Sequence, residues 1–208
     1  MAVFTPSYPL TLPTATGIKT QNWGLKRVVA MTQSPFTLQQ QVYQHSGEQW
    51  KTTMSLPPML KDNASIWLAF FMQLRGMRGT FKLGDQDRKT IQGTATGTVL
   101  VNGASQTGNQ VALDGFTASR ANVFKAGDYI QINSYLYMVT ENVTANGSGE
   151  ANVKIEPSLR QGIETINDNT TIIYLNTTTI MRLDSNEFNW DTDHVSKYGI
   201  SFSCSEAL

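Results

Sequence analysis

The stretch Asp128-Tyr129-Ile130-Gln131-Ile132-Asn133-Ser134-Tyr135-Leu136-Tyr137-Met138-Val139 decides the fold class. Two short runs of β-branched, aromatic and aliphatic residues flank Asn133-Ser134, a pair of turn formers. Neither run has the length or the 3.6-residue spacing of a helix. The same pattern repeats on both sides: residues 97–101, 110–114 and 151–155 are short strand-like runs. Gly103, Gly108, Gly115 and Asn146-Gly147-Ser148-Gly149 separate them. Turn signals at such regular intervals predict a small all-β unit over residues 85–160, with no amphipathic helix.

The flanks read differently. Residues 1–20 hold Pro6, Pro9, Pro13 and Gly17, which deny them a regular helix and predict an extended arm. Residues 26–31 read as a strand, and Ser34-Pro35 breaks it. A second strand is expected over residues 36–43, a turn at His45-Ser46-Gly47-Glu48, and a third strand over residues 49–56. Pro57-Pro58 ends that run, and one helix follows. Asn63 or Asp62 is its expected N-cap, and Gly76 accepts the left-handed turn after Arg75. Ile66, Trp67, Phe70, Phe71 and Leu74 form its apolar face. Strand patterns resume after Pro157, at residues 172–175, 179–183, 188–190 and 196–203. The fold class expected is mainly β: an antiparallel β-sandwich over residues 21–84 plus 161–208 with one α-helix, and an inserted small β-barrel or sandwich over residues 85–160.

Composition narrows the function. Among 208 residues, Lys+Arg and Asp+Glu are 16 each, so the net charge is zero, and charged residues make up 15%. Nucleic-acid binders carry a basic excess that neutralises phosphate, so no specific nucleic-acid binding is expected. The single Cys204 permits no intrachain disulfide and no cysteine-based metal cluster. The longest apolar run, residues 66–72, falls far short of the ~20 residues of a membrane-spanning helix. No signal peptide is evident at the start. The five Asn-x-Ser/Thr sequons are therefore read as a by-product of a Thr- and Asn-rich chain made in a reducing cytoplasm.

Catalytic motifs are absent: no Gly-x-Ser-x-Gly, Walker loop, Gly-x-Gly-x-x-Gly or His-Glu-x-x-His occurs. Asp191-Thr192-Asp193-His194 has metal-ligand residue types but no second cluster to complete a shell, and reads as a hairpin turn. Glu48, Asp85, Asp87, Asp114, Asp128 and Glu141 offer carboxylates, most of them beside Gly or Asn, where they commonly serve turns. Tyr135, Tyr137 and Trp190 could stack on a sugar ring, but their apolar neighbours favour core positions. No catalytic residue, cofactor or metal is expected.

Several of these stretches occur together in a known family. They are Tyr43-Gln44-His45-Ser46-Gly47-Glu48-Gln49-Trp50, Leu56-Pro57-Pro58-Met59, residues 64–71 and 74–85, Val101-Asn102-Gly103-Ala104-Ser105-Gln106-Thr107-Gly108, Ala126-Gly127-Asp128-Tyr129-Ile130-Gln131-Ile132 and Glu156-Pro157-Ser158-Leu159-Arg160. From about residue 20 onward the chain resembles tailed-bacteriophage virion proteins, most closely the distal tail proteins of long-tailed phages. The resemblance implies a structural virion protein, not an enzyme, assembled in the host cytoplasm. It implies a β-sandwich that forms a ring, usually a homohexamer, between the tail tube protein above and the hub or tip proteins below. A second β domain projects outward and in some members binds host-surface carbohydrate, so a carbohydrate-binding module of a tail tip or fibre is the alternative. An extended arm can lie across a neighbour, and open strand edges can close on one another in a ring. The expected oligomer-interface residues are Phe4, Tyr8, Leu10 and Leu12 in the arm, and Lys26, Arg27 and Val28 in the first long strand.

Overall fold

In the computed structural model of the chain, the described residues are 5–160 and 162–208. They form β1 (Leu10–Thr11), β2 (Thr20–Gln33), β3 (Gln40–Ser55), α1 (Lys61–Leu74), β4 (Phe81–Leu83), β5 (Val99–Val101), β6 (Gln110–Asp114), β7 (Tyr129–Ile132), β8 (Tyr135–Val139), β9 (Ala151–Glu156), β10 (Thr171–Ile173), β11 (Thr179–Leu183), β12 (Trp190–Thr192) and β13 (Tyr198–Glu206). The fold is mainly β with one α-helix, as the sequence predicts.

A seven-stranded sheet has the order β1-β4-β11-β13-β3-β2, with β12 paired to β13. Every pairing is antiparallel except β1 with β4, so the sheet is mixed. Alternation along β3 and β13 buries Trp50, Thr52, Met54, Ile200, Phe202 and Cys204 on one face. Thr53, Ser55, Ser201 and Ser203 fall on the other, where the hydroxyls of Thr53 and Ser203 lie 3.1 Å apart.

Helix α1 covers the apolar face. Trp67, Phe70, Phe71 and Leu74 are buried in one cluster with Phe81, Met181 and Phe202. Ile66, expected on the same stripe, is exposed instead, at the flank beside Leu10 and Pro13 of the arm. The expected N-cap is also corrected. Leu60 holds that position in extended backbone and supplies no capping side chain, so Asp62 lies inside the first turn, where its negative charge complements the helix dipole. At the other end the left-handed turn takes two residues, Arg75 (φ 53°) and Gly76 (φ 67°).

The insertion is a closed barrel, β10-β5-β6-β9-β8-β7. Its interior is filled by Val99, Val101, Val111, Leu113, Ile130, Ile132, Tyr137, Val139, Val153 and Ile155, all at most 1% exposed. The expected boundary at residue 160 falls inside this body. Strand β10 pairs with β5 and with β7 and closes the barrel, so the chain returns to the sheet only after Ile173. Closure requires this sixth strand because β5 and β7 would otherwise be open edges.

Two further expectations are corrected. Residues 36–39 are not strand: Ser34 and Gln39 close the hairpin loop, with Ser34 N–H donating to the Gln39 carbonyl at 2.9 Å. No turn occurs at His45-Ser46-Gly47-Glu48, because β3 runs through it unbroken. Between the pairs Arg27–Glu48 and Val29–Gln44, β2 contributes one residue and β3 three, so β3 bulges at residues 45–47 and Gly47 lies in that bulge. A Cβ there would lie 2.8 Å from Val28 Cγ2, so glycine makes room for the valine that faces the bulge.

The chain enters and leaves the barrel side by side. A Cβ on buried Gly84 would lie 1.9 Å from the carbonyl oxygen of Thr177. Gly84→Ala is therefore expected to destabilise the protein by about 1–3 kcal/mol through forced separation of the two linkers. Gly17→Ala is the control, since nothing lies within 4 Å of that Cβ. Urea midpoints of the two variants check the contrast.

Candidate functional site

Beyond Arg27 and Glu48 the β2–β3 hairpin leaves the body of the protein. From 28 to 47 every residue is exposed except Ser34, which is half-buried in the loop. Six residues of strand, Val28 to Gln33, reach about 20 Å at ~3.3 Å per residue. The segment contains no Asp, Glu, Lys or Arg. Phe36 at the tip is 94% exposed, and Val28, Val29, Met31, Leu38, Val42 and Tyr43 are also exposed. The register sets Met31 opposite Val42 and Ala30 opposite Tyr43, so both faces carry apolar side chains. An isolated two-stranded ribbon is at best marginally stable in water, and an apolar patch of this kind marks an interaction site.

The base of the hairpin is anchored by a charged network that joins sheet and barrel. Arg27 Nε lies 3.2 Å from Glu48 Oε1, and its Nη2 2.6 Å from Glu156 Oε2. Glu48 Oε2 accepts the backbone N–H of Ser158 at 2.8 Å and its hydroxyl at 3.1 Å. Arg160 donates to the Glu48 carbonyl at 2.8 Å and pairs with Glu206, both of them buried. Glu206 also accepts the N–H of Trp50 at 3.2 Å and the hydroxyl of Thr179 at 3.1 Å. Burial pushes the Glu206 carboxyl above its ordinary value, and Arg160 pulls it back part of the way. Beside the network, Trp50 Nε1 donates to the Leu136 carbonyl at 2.8 Å, and Trp50, Tyr129 and Leu136 form a small core. Burial there pushes the Tyr129 hydroxyl up to about 12.

The expected interface residues separate into groups. Phe4 lies outside the described residues. Tyr8, Leu10 and Leu12 pack half-buried against the core of the same chain, and Tyr8 donates to the Gln73 carbonyl at 2.7 Å. Trp67 Nε1 donates to Thr16 Oγ1 at 3.0 Å, so the arm is fastened to its own helix. Lys26 and Val28 are exposed on β2, and Arg27 belongs to the anchor. The exposed hairpin tip is not among the expected residues; the uncharged stretch of residues 28–47 is the signal that points to it.

A cleft of about 580 Å³ crosses the outer sheet face, with Thr53, Ser55, Ser201 and Ser203 along it. Lys19 lies in its wall, as do Asp184, Glu187 and Asp191. Among the described residues no group of three or more His, Cys, Asp or Glu side chains is placed to hold a metal ion. Of the aromatics considered for sugar stacking, Tyr135 and Tyr137 are buried, whereas Trp190 is exposed on β12. Among the described residues, no helix is long and apolar enough to cross a membrane. No protein-family model matches the chain, and comparison with curated proteins finds no match.

Proposed function

We propose that this protein is a non-enzymatic structural subunit that assembles into a closed ring, in keeping with its resemblance to the distal tail proteins of long-tailed phages. The ring, six-membered by that resemblance, joins the tail tube protein on one side to hub or tip proteins on the other. The observation that carries the reading is the projecting hairpin. Residues 28–47 expose seven large apolar side chains and no charged one, while the strands below are held rigidly by the Arg27–Glu48–Glu156 network. A monomer has no use for such a ribbon; a subunit buries it on assembly. Its outer strand β2 is an edge of the sheet, with backbone groups that a neighbour can pair.

Light scattering after size exclusion, with negative-stain imaging of the leading peak, tests the reading. Closed rings support it, and a monomer at high concentration counts against it. Replacing residues 29–44 by a two-residue Asn-Gly turn is expected to abolish assembly while shifting the melting temperature by only a few degrees, since these residues lie outside every core cluster.

A further inference from the structure

We propose that the loop closing the β2–β3 hairpin, residues 34–39, is a membrane-interface anchor that sinks Phe36 and Leu38 into the edge of the hydrocarbon layer of a lipid bilayer. The inference goes beyond the ring reading. Neighbouring copies bury the shaft of the hairpin, whereas this loop projects past it. Phe36 is 94% exposed and Leu38 68%, both at the tip of the ribbon.

The loop is built to leave water. Ser34 N–H donates to the Gln39 carbonyl at 2.9 Å, and Leu38 N–H to the Ser34 carbonyl at 2.9 Å. Ser34 Oγ accepts the N–H groups of Phe36 at 3.4 Å and Thr37 at 3.3 Å, and Thr37 Oγ1 accepts that of Gln39 at 3.4 Å. Pro35 has no N–H. Every backbone donor from 34 to 39 therefore has an acceptor inside the loop, and Gln33 Nε2 donates to the Leu38 carbonyl at 3.2 Å. Water satisfies such donors without help; hydrocarbon does not. Leu38 is a second sign. Its φ is 58°, a left-handed conformation that glycine or asparagine adopts freely and leucine only at a cost. An apolar side chain is kept where turn chemistry favours a small or polar residue.

Two features select lipid over a pocket on a protein. A protein partner reads a loop partly through hydrogen bonds, and here the backbone donors are already engaged, with no charged residue between 28 and 47 to take their place. The second is the order of side chains along the ribbon. Directly behind the apolar tip, the pairs Gln33–Gln40 and Thr32–Gln41 form two polar, uncharged rows. Two rows span roughly 7 Å at ~3.3 Å per residue, close to the headgroup layer of about 5–8 Å on each side of a bilayer. The collar thus lies at headgroup depth when the tip reaches hydrocarbon. Two apolar side chains bind weakly on their own. A rotation axis keeps the loops of all copies on the same side of a ring, so they engage one bilayer together and their affinities reinforce one another.

Flotation of the full chain with phosphatidylcholine vesicles tests the anchor, with light scattering on the same samples. The wild type is expected to float with the vesicles, equally at low and high salt, because no charge takes part. Phe36→Ser/Leu38→Gly is expected to bind about a hundredfold more weakly, roughly tenfold for each apolar side chain withdrawn from lipid. Its urea midpoint is not expected to fall, since both positions are exposed and glycine relieves the left-handed turn. Val195→Ser, at an exposed apolar position in another loop, is expected to float as the wild type does. A wild type that assembles but does not float at any lipid concentration overturns the anchor and leaves the ring reading standing; one that floats as a monomer does the reverse. A double variant that floats as well as the wild type overturns the anchor. So does one that loses assembly along with flotation, because the tip is then a contact between copies.

Discussion

Arg160→Met is expected to cost about 3–5 kcal/mol of folding stability at neutral pH, because it leaves the Glu206 carboxylate buried without a counter-charge. Glu206 is 2% exposed and retains only the N–H of Trp50 and the hydroxyl of Thr179 as donors. The pH dependence separates this cause from lost packing. Burial already raises the Glu206 carboxyl above its ordinary value, and removing Arg160 takes away an opposing influence. The folded state then binds the proton more tightly than the unfolded state does. The stability linked to this group is complete below the unfolded carboxyl pKa, about 4.3, and is lost as pH rises through the folded value. The gap between variant and wild type is thus expected to narrow on acidification from pH 7 to pH 5. Arg160→Met/Glu206→Gln is expected to recover much of the loss. Urea unfolding across this range decides, and a single variant within 1 kcal/mol of wild type at every pH would rule out the buried charge as the cause.

Trp67→Ala is expected to destabilise by a similar 3–5 kcal/mol, here by opening a cavity. The indole is fully buried, with the rings of Phe70, Phe71 and Phe202 at centroid distances of 6.1, 6.2 and 6.5 Å. The same substitution releases the arm by removing the hydrogen bond to Thr16. Faster proteolytic cleavage within residues 5–19 is expected to accompany the drop in midpoint. Trp67→Phe keeps most of the packing but not the donor, and its arm is expected to be cleaved faster at a cost nearer 1 kcal/mol. Unchanged cleavage in both variants would mean that contacts other than this bond hold the arm.

Local pattern makes the helix and most strands legible in the sequence. Trp67, Phe70, Phe71 and Leu74 sit where their spacing puts them, and Asn133-Ser134 joins β7 to β8 as a turn should. Two punctuation marks mislead. Gly47 reads as a turn residue, yet its small size serves a valine on the neighbouring strand, which a one-dimensional reading does not see. Pro157 reads as a boundary, although the barrel lacks its last strand until residue 171. The anchor shows the same limit. Glu48-Gln49-Trp50 and Glu156-Pro157-Ser158-Leu159-Arg160 each stand out in the sequence, but their convergence with Glu206 joins residues 46 to 156 positions apart. Prolines make the arm's lack of helix legible; its docking on the body of the chain depends on tertiary contacts with Trp67 and Gln73.

Strands β4 and β11 are paired with Leu83 opposite Thr179, so they amount to a β-hairpin whose turn has been exchanged for an entire barrel. A chain built this way can acquire, lose or trade the barrel without rethreading the sheet. Such an exchange would still leave a mark on the part that stays behind. Trp23, Leu25 and Trp50 of the sheet rest on Tyr129, Leu136 and Met138 of the barrel. A shortened descendant would need polar residues at those three sheet positions, or it would present a greasy scar where its appendage once stood.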